Sequence, residues 1–137
     1  MNAKNITVAG IAGGILLLVA MVVFGKIANA ISPYDMASLP GMRTMQDPLM
    51  LLFFLYPFVL AFIAAILFDM IRGSLHGTMW HKAITFGGLL FLLETIPSAF
   101  VIFSTMTYPP GFFISSFLNG VIAFPLLGLL FVNVWKE

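Results

Sequence analysis

Four long runs of apolar residues, separated by short polar breaks, make up most of the chain. Each run is at least as long as the roughly 20 apolar residues that a helix needs to cross a bilayer core. Alternation at every second position, which is typical of barrel strands, is absent. The pattern predicts an all-α integral membrane four-helix bundle that forms a single transmembrane domain. The predicted spans are Ile6 to Ala30, Pro48 to Ile71, Met79 to Thr107 and Pro110 to Trp135.

An acid followed by a proline marks the start of the second span. Asp47 precedes Pro48, and this order places a capping carboxylate before the residue type that favours the first helical position. We therefore predict that the second helix begins at Pro48 with Asp47 as its cap.

The first run shares features with a secretory signal peptide: Lys4, an apolar stretch and the sequence ANA at 28–30. However, its apolar stretch exceeds the roughly 7–15 residues of such a region, and Lys26 interrupts it before the cleavage-like motif. We expect a true membrane span.

The composition supports a membrane protein. Hydrophobic residues make up 61% of the 137 positions and charged residues 8%, whereas a soluble domain carries about 25% charged residues. The net charge of +1 argues against a nucleic-acid partner, which would require a basic patch. Because the chain has no cysteine, thiolate zinc sites and iron–sulfur clusters are excluded.

The basic residues predict an orientation. Four spans place both termini on one side, which would hold four of the six basic residues (Lys4, Arg72, Lys82 and Lys136), whereas the other side would hold Lys26 and Arg43. This excess predicts a multi-pass protein of the cell membrane with cytoplasmic N- and C-termini.

The long first loop, residues 32–46, contains prolines, a glycine and several apolar side chains. It is either a segment that lies on the outer interface and covers the bundle, or a lid or docking surface. The sequence leaves these alternatives open.

Three segments, DPLMLLFFLYPFVLAFIAAILFD, WHKAITFGGLLF and TIPSAFVIFSTMTYP, resemble a family of small four-span integral membrane proteins of bacteria and archaea. The shared features are an aspartate–proline helix start, a tyrosine–proline pair, a basic entry to the third helix with a glycine, and a proline in its middle. The corresponding positions are Asp47, Pro48, Tyr56, Pro57, Lys82, Gly87 and Pro97. The resemblance runs from residue 43 onward; it implies the four-helix architecture and transfers no activity.

Glu94 is the most informative polar residue because it lies in the middle of the apolar run FLLETIPSAF. It follows Lys82 by roughly 18 Å of helical rise, which places it near the middle of a core about 30 Å thick. An acid at this depth is a functional-site hypothesis by default. The alternative is a structural role, in which Glu94 hydrogen-bonds across the bundle and fixes the helix register.

Other polar residues lie at comparable depths. Asn119 is about 14 Å into the fourth helix, and Glu94 is about 20 Å from the same turn. Tyr56 lies at a depth similar to Asn119, and Thr95 and Ser98 are close to Glu94 in sequence. We predict an intramembrane polar cluster of Glu94, Asn119, Tyr56 and Ser98, with Asn119 as the expected partner of Glu94.

Two further pairs have structural spacings. Asp69 and Arg72 are three apart at the inner end of the second helix, a spacing that permits an ion pair. Gly10 and Gly14 form a small-xxx-small pair that permits close approach of another helix. Whether that helix belongs to the same chain or to a second copy is open.

No catalytic residues, cofactor or metal site are expected. His76 and His81 are only two ligands and lie five apart, whereas zinc needs three or four. No nucleophile–base pair or phosphate-binding loop is present.

These patterns favour a non-enzymatic accessory or scaffolding subunit of a membrane assembly. Its expected partners are the lipid bilayer and other membrane subunits or copies of itself. The alternative is a small oligomeric channel or proton-coupled transporter that uses Glu94. A water-accessible cavity reaching Glu94 would favour transport, and a dry, packed cluster would favour structure.

Overall fold

The computed structural model describes residues 1–136 and confirms an all-α four-helix bundle, with no strand in that part of the chain. Four helices are long and apolar enough to cross a membrane, which supports a multi-pass membrane protein. They are α1 (Ala3–Ile31), α2 (Pro48–Ser74), α3 (Met79–Thr105) and α4 (Pro110–Val134). A short 3₁₀ turn, Met36–Ser38, lies in the first loop.

α2 begins at Pro48, as predicted. The Asp47 carboxylate caps it by accepting a hydrogen bond from the Leu49 N–H at 2.9 Å. Arg43 donates to the same carboxylate at 2.9 Å. The Leu49 N–H and then Arg43 hold the pKa of Asp47 below its ordinary value, because both favour the charged form.

Three of the four membrane-spanning helices contain a segment that departs from α geometry. The first eight residues of α2, Pro48–Leu55, form a 3₁₀ helix. Wide π turns occupy Phe91–Thr95 in α3 and Asn119–Ala123 in α4. In each case regular α-helix resumes one residue before a proline. Proline has no N–H to donate, and its ring clashes with the carbonyl four residues earlier, so the turn before it departs from α geometry. The prolines are Pro57, Pro97 and Pro125.

The helices pack in the spatial order α2–α1–α4–α3. α1 contacts α2 and α4, and the first part of α3 (Met79–Leu90) packs against the last part of α4 (Phe124–Val134). We call the end of the bundle at which α1 and α3 begin the inner end, and the opposite end the outer end. α2 and α3 close the bundle at its inner half through Phe68 and Phe86, whose ring centroids are 5.0 Å apart in an edge-to-face arrangement. Phe131 of α4 and Trp135, which directly follows α4, contact the Phe68 ring as well.

Glycines set the closest helix contacts. Gly10 and Gly14 of α1 face the rings of Phe62 and Phe58 of α2, so this small-residue pair packs within the chain. Between α3 and α4, the backbone of Gly87 faces Pro125, and a Cβ added there would lie 2.5 Å from the Pro125 nitrogen. Close packing at small residues of this kind is a main source of helix association in lipid.

The outer halves of α2 and α3 are uncovered. α3 beyond its π turn, Ile96–Thr105, packs mainly against its own preceding turn, and Pro48–Leu55 packs mainly against the rest of α2. Large apolar side chains are consequently exposed, among them Leu51 (69%), Phe100 (73%) and Phe103 (79%). We call this surface, formed by Pro48–Tyr56 and Ile96–Thr105, the α2–α3 outer face.

The first loop lies over the outer ends of α1 and α4. The Asn29 side-chain amide donates to the Tyr34 carbonyl at 2.6 Å. The Tyr34 ring covers Gly111 at the start of α4, and the Tyr108 hydroxyl lies 4.0 Å from the Met42 sulfur. The loop thus covers part of the outer end of the bundle.

We expect Gly87→Ala to lower the free energy of unfolding by roughly 1–3 kcal/mol, because the added methyl meets backbone that cannot move independently of α4. Gly88→Ala is the matched control, since nothing lies within 4 Å of a Cβ at that position. Thermal and denaturant unfolding in detergent measure both. Equal stability of the two variants would contradict the close packing at Gly87.

Candidate functional site

Glu94 lies in the π turn of α3, and its side chain is half-buried. The wide turn holds one more residue than an α turn, and each residue rotates the helix face by about 100°. Glu94 is therefore displaced from the face that regular α geometry would give it.

Both oxygens of the Glu94 carboxyl accept hydrogen bonds. The Tyr56 hydroxyl of α2 donates to Oε1 at 2.7 Å. The Thr95 hydroxyl donates to Oε2 at 3.1 Å. Glu94 therefore bonds to another helix, as expected for an acid at this depth, and it joins α2 to α3 near the middle of the bundle.

The expected bond between Glu94 and Asn119 is wrong. The Asn119 side-chain amide instead donates to the Ser115 carbonyl of its own helix at 2.9 Å. The residue of α4 that approaches Glu94's neighbours is Gly120, where a Cβ would lie 2.7 Å from the Thr95 hydroxyl oxygen. Asn119, one position earlier, is rotated away by about 100°.

Ser98 does not join the cluster. It is exposed, and it makes no side-chain hydrogen bond to Glu94 in the described structure. The structure brings together Tyr56, Glu94 and Thr95, and leaves Asn119 and Ser98 outside this group.

The Tyr56–Glu94 pair lies at the surface of the bundle and not in its centre. Tyr56 is 46% exposed, whereas Thr95, which faces α4, is 3% exposed. Beyond the pair, the outer halves of α2 and α3 no longer cover one another. The pair thus marks the inner edge of the α2–α3 outer face.

A second polar centre lies at the inner end of the bundle. Asp69 forms the predicted pair with Arg72, with Nε 3.3 Å from Oδ1. It also accepts from the Trp135 indole N–H at 2.8 Å and from the Asn2 backbone N–H at 3.2 Å. The sequence analysis did not predict these two contacts. The contact with Trp135 could have been expected, because a buried indole N–H usually needs a hydrogen-bond acceptor.

Two clefts lie at the ends of the bundle, and Glu94 lines neither. The outer cleft, of about 490 Å³, lies between α1, the first loop and the start of α2. The inner cleft, of about 710 Å³, lies between the end of α2, the start of α3 and the end of α4. Its polar lining residues are Asp69, Arg72, Lys82 and Lys136.

Within residues 1–136 the structure groups no three His, Asp or Glu side chains in a way that would hold a metal ion. The polar groups at the Tyr56–Glu94 pair are one carboxyl and two hydroxyls. Such a group can fix two helices in register, present hydrogen-bond acceptors to a neighbour, or exchange a proton.

No protein-family model matches the chain, and neither does any curated protein or solved structure. The resemblance to small four-span proteins therefore stays a resemblance, and the interpretation of the site depends on its geometry.

The Tyr56–Glu94 bond predicts a measurable coupling. In a double-mutant cycle with Tyr56→Phe and Glu94→Ala, we expect a coupling energy on the order of 0.6 kcal/mol and at most about 1.7 kcal/mol. The matched cycle pairs Asn119→Ala with Glu94→Ala and should give additive effects, since Asn119 bonds within α4. Unfolding in mixed micelles measures both cycles, and a larger coupling for Asn119 would contradict the assignment.

Proposed function

We propose that this chain is a non-enzymatic accessory or scaffolding subunit of a membrane assembly. Its α2–α3 outer face docks a transmembrane helix of another subunit. The observation that carries this proposal is the Tyr56–Glu94 pair, a hydrogen-bonded acid at mid-bundle depth that lies on an uncovered face.

The cost of exposing polar groups to lipid supports a protein partner. Acids within membrane spans almost always face protein or a water-filled cavity, because hydrocarbon offers no hydrogen bonds. Tyr56 and Glu94 satisfy part of each other's requirement, yet the carboxyl has acceptor sites beyond the two that are used. A partner helix with a hydrogen-bond donor at this depth would satisfy them.

The apolar part of the α2–α3 outer face suits the same partner. Large apolar side chains such as Leu52 (57%) and Phe100 (73%) are exposed on it, and Phe103 stays 79% exposed although its ring has an edge contact with Phe113 of α4. Helices associate in lipid through close packing and hydrogen bonds and not through the hydrophobic effect. An irregular surface with a polar group at its inner edge provides both.

A channel or proton-coupled transporter that uses Glu94 is the second candidate. The location of Glu94 in a π turn favours it, because such turns occur frequently at functional sites. The fact that Glu94 lines neither end cleft favours the accessory role instead. Glu94→Gln separates them: glutamine keeps an acceptor for Tyr56, so assembly should persist, whereas proton coupling would be lost.

We further propose that the protein lies in the cell membrane with cytoplasmic termini, because four of the six basic residues flank that side. The chain lacks cysteine, so single cysteines report the orientation. In intact cells Ser38→Cys should react with a membrane-impermeant reagent, and Ser74→Cys should react only after lysis. The reverse pattern would overturn the assignment.

The docking proposal predicts where a partner is captured. A photoreactive residue at Val101 on the α2–α3 outer face should cross-link a second protein in native membranes. The same residue at Val19 on α1 is the matched control, since the two valines are 53% and 57% exposed; it should yield lipid adducts only. Equal protein adducts at both positions, or none at Val101, would contradict the proposal.

A further inference from the structure

The inner cleft has an unusual charge for a protein with only six basic residues. Three of them, Arg72, Lys82 and Lys136, line it together with a single acid, Asp69. They come from three different places in the chain: the end of α2, the first turn of α3 and the residues that follow α4. The fold therefore gathers half of the protein's cations around one opening.

The acid in the cleft is already occupied. The Asp69 side chain is only 6% exposed; it accepts hydrogen bonds from Trp135 and Asn2 and forms an ion pair with Arg72. Within residues 1–136, neither Lys82 nor Lys136 forms an ion pair. The described lining thus carries two ammonium groups without a counter-ion, beside a guanidinium whose other nitrogens remain available as donors.

The two lysines reach the cleft from different parts of the chain, the first turn of α3 and the residues that follow α4. The Lys136 ammonium lies 4.0 Å from the Met79 sulfur, so this side chain reaches from the end of α4 towards the start of α3. Lys82 is half-buried one turn further along α3. Lysine heads that line the same opening are well placed to contact separate oxygens of one phosphate group.

The remaining walls are apolar. Phe68, Leu75, Met79 and Val132 line the cleft beside the charged residues. Its volume of about 710 Å³ is far more than a phosphate ion requires and falls in the range of sites for larger ligands. The cleft lies at the ends of three spans, the depth at which lipid headgroups meet the hydrocarbon core.

We propose that the inner cleft binds the phosphate of an anionic phospholipid. The phosphate contacts Lys82, Lys136 and Arg72, and the glycerol and the first acyl methylenes lie against the apolar wall. Basic clefts between transmembrane helices are known to bind the headgroups of anionic lipids. A soluble phosphate carries the same charge but has no apolar group to contact the apolar wall. A phospholipid can contact both the basic residues and the apolar wall.

The test uses the full chain in nanodiscs of phosphatidylcholine, with and without phosphatidylglycerol. We expect phosphatidylglycerol to raise the thermal stability of the wild-type protein and to remain bound in native mass spectrometry. Lys82→Gln with Lys136→Gln should weaken lipid binding by about 25-fold, roughly fivefold for each lysine. Arg72 is left unchanged because it pairs with Asp69.

The matched control is Lys4→Gln with Lys26→Gln, which removes the same charge from exposed positions outside the inner cleft. It should bind phosphatidylglycerol like the wild type. Equal losses in both double variants would overturn the proposal, because they would mean general attraction to an anionic bilayer. A melting temperature of the Lys82→Gln, Lys136→Gln variant equal to that of the wild type in pure phosphatidylcholine establishes that this variant folds.

Two further measurements identify the source of the phosphate. A photoreactive phosphatidylglycerol should label peptides that contain residues 68–82 or 132–136, and labelling confined to other peptides would overturn the cleft as the site. Inorganic phosphate alone should neither stabilise the protein nor displace the lipid. Stabilisation by inorganic phosphate to the same extent would overturn the lipid and assign the cleft to a soluble anion.

Discussion

Close approach between helices at glycines is the constraint on which the rest of this structure depends. In lipid there is no hydrophobic drive to bring helices together, so packing and hydrogen bonds must do so. Gly10 and Gly14 join α1 to α2, and Gly87 and Gly128 join α3 to α4. Because α1 also contacts α4, these contacts fix the order α2–α1–α4–α3. They also leave α2 and α3 as the two helices with an incompletely filled boundary.

The boundary between α2 and α3 is closed at two levels and open at a third. At the inner end the rings of Phe68 and Phe86 join the two helices, while Asp69 ties α2 to Trp135 and to Asn2. Halfway out, the Tyr56–Glu94 bond joins α2 to α3. Further out the two helices separate and expose large apolar side chains. The proposed partner helix and the proposed lipid therefore occupy opposite ends of the same boundary.

The sequence predicted the number of spans and the cap at Asp47, because length, apolarity and an acid–proline pair are local signals. It also identified Glu94 and Tyr56 as members of one cluster, because residue depth follows from counting helical rise. It failed on Asn119, because the partner of Glu94 depends on rotation about the helix axis. The π turns at Phe91–Thr95 and Asn119–Ala123 change that rotation. A proline in the sequence does not predict whether the turn before it becomes a π turn, a 3₁₀ turn or a kink. The contacts of Asp69 with Asn2 and Trp135 required knowing that the start of α1 lies beside the ends of α2 and α4.

We propose that protein, and not lipid or water, covers the α2–α3 outer face in the native membrane. A nitroxide attached to a cysteine at Leu52, which is 57% exposed, reports this directly through its collisions with oxygen and with a water-soluble nickel complex. In native membranes both collision rates should be low, and oxygen collisions should rise once the chain is purified alone into detergent. A high oxygen rate in the native membrane would mean that the face contacts lipid, and a high nickel rate would mean a water-filled path. Either result would contradict coverage of the α2–α3 outer face by a partner protein.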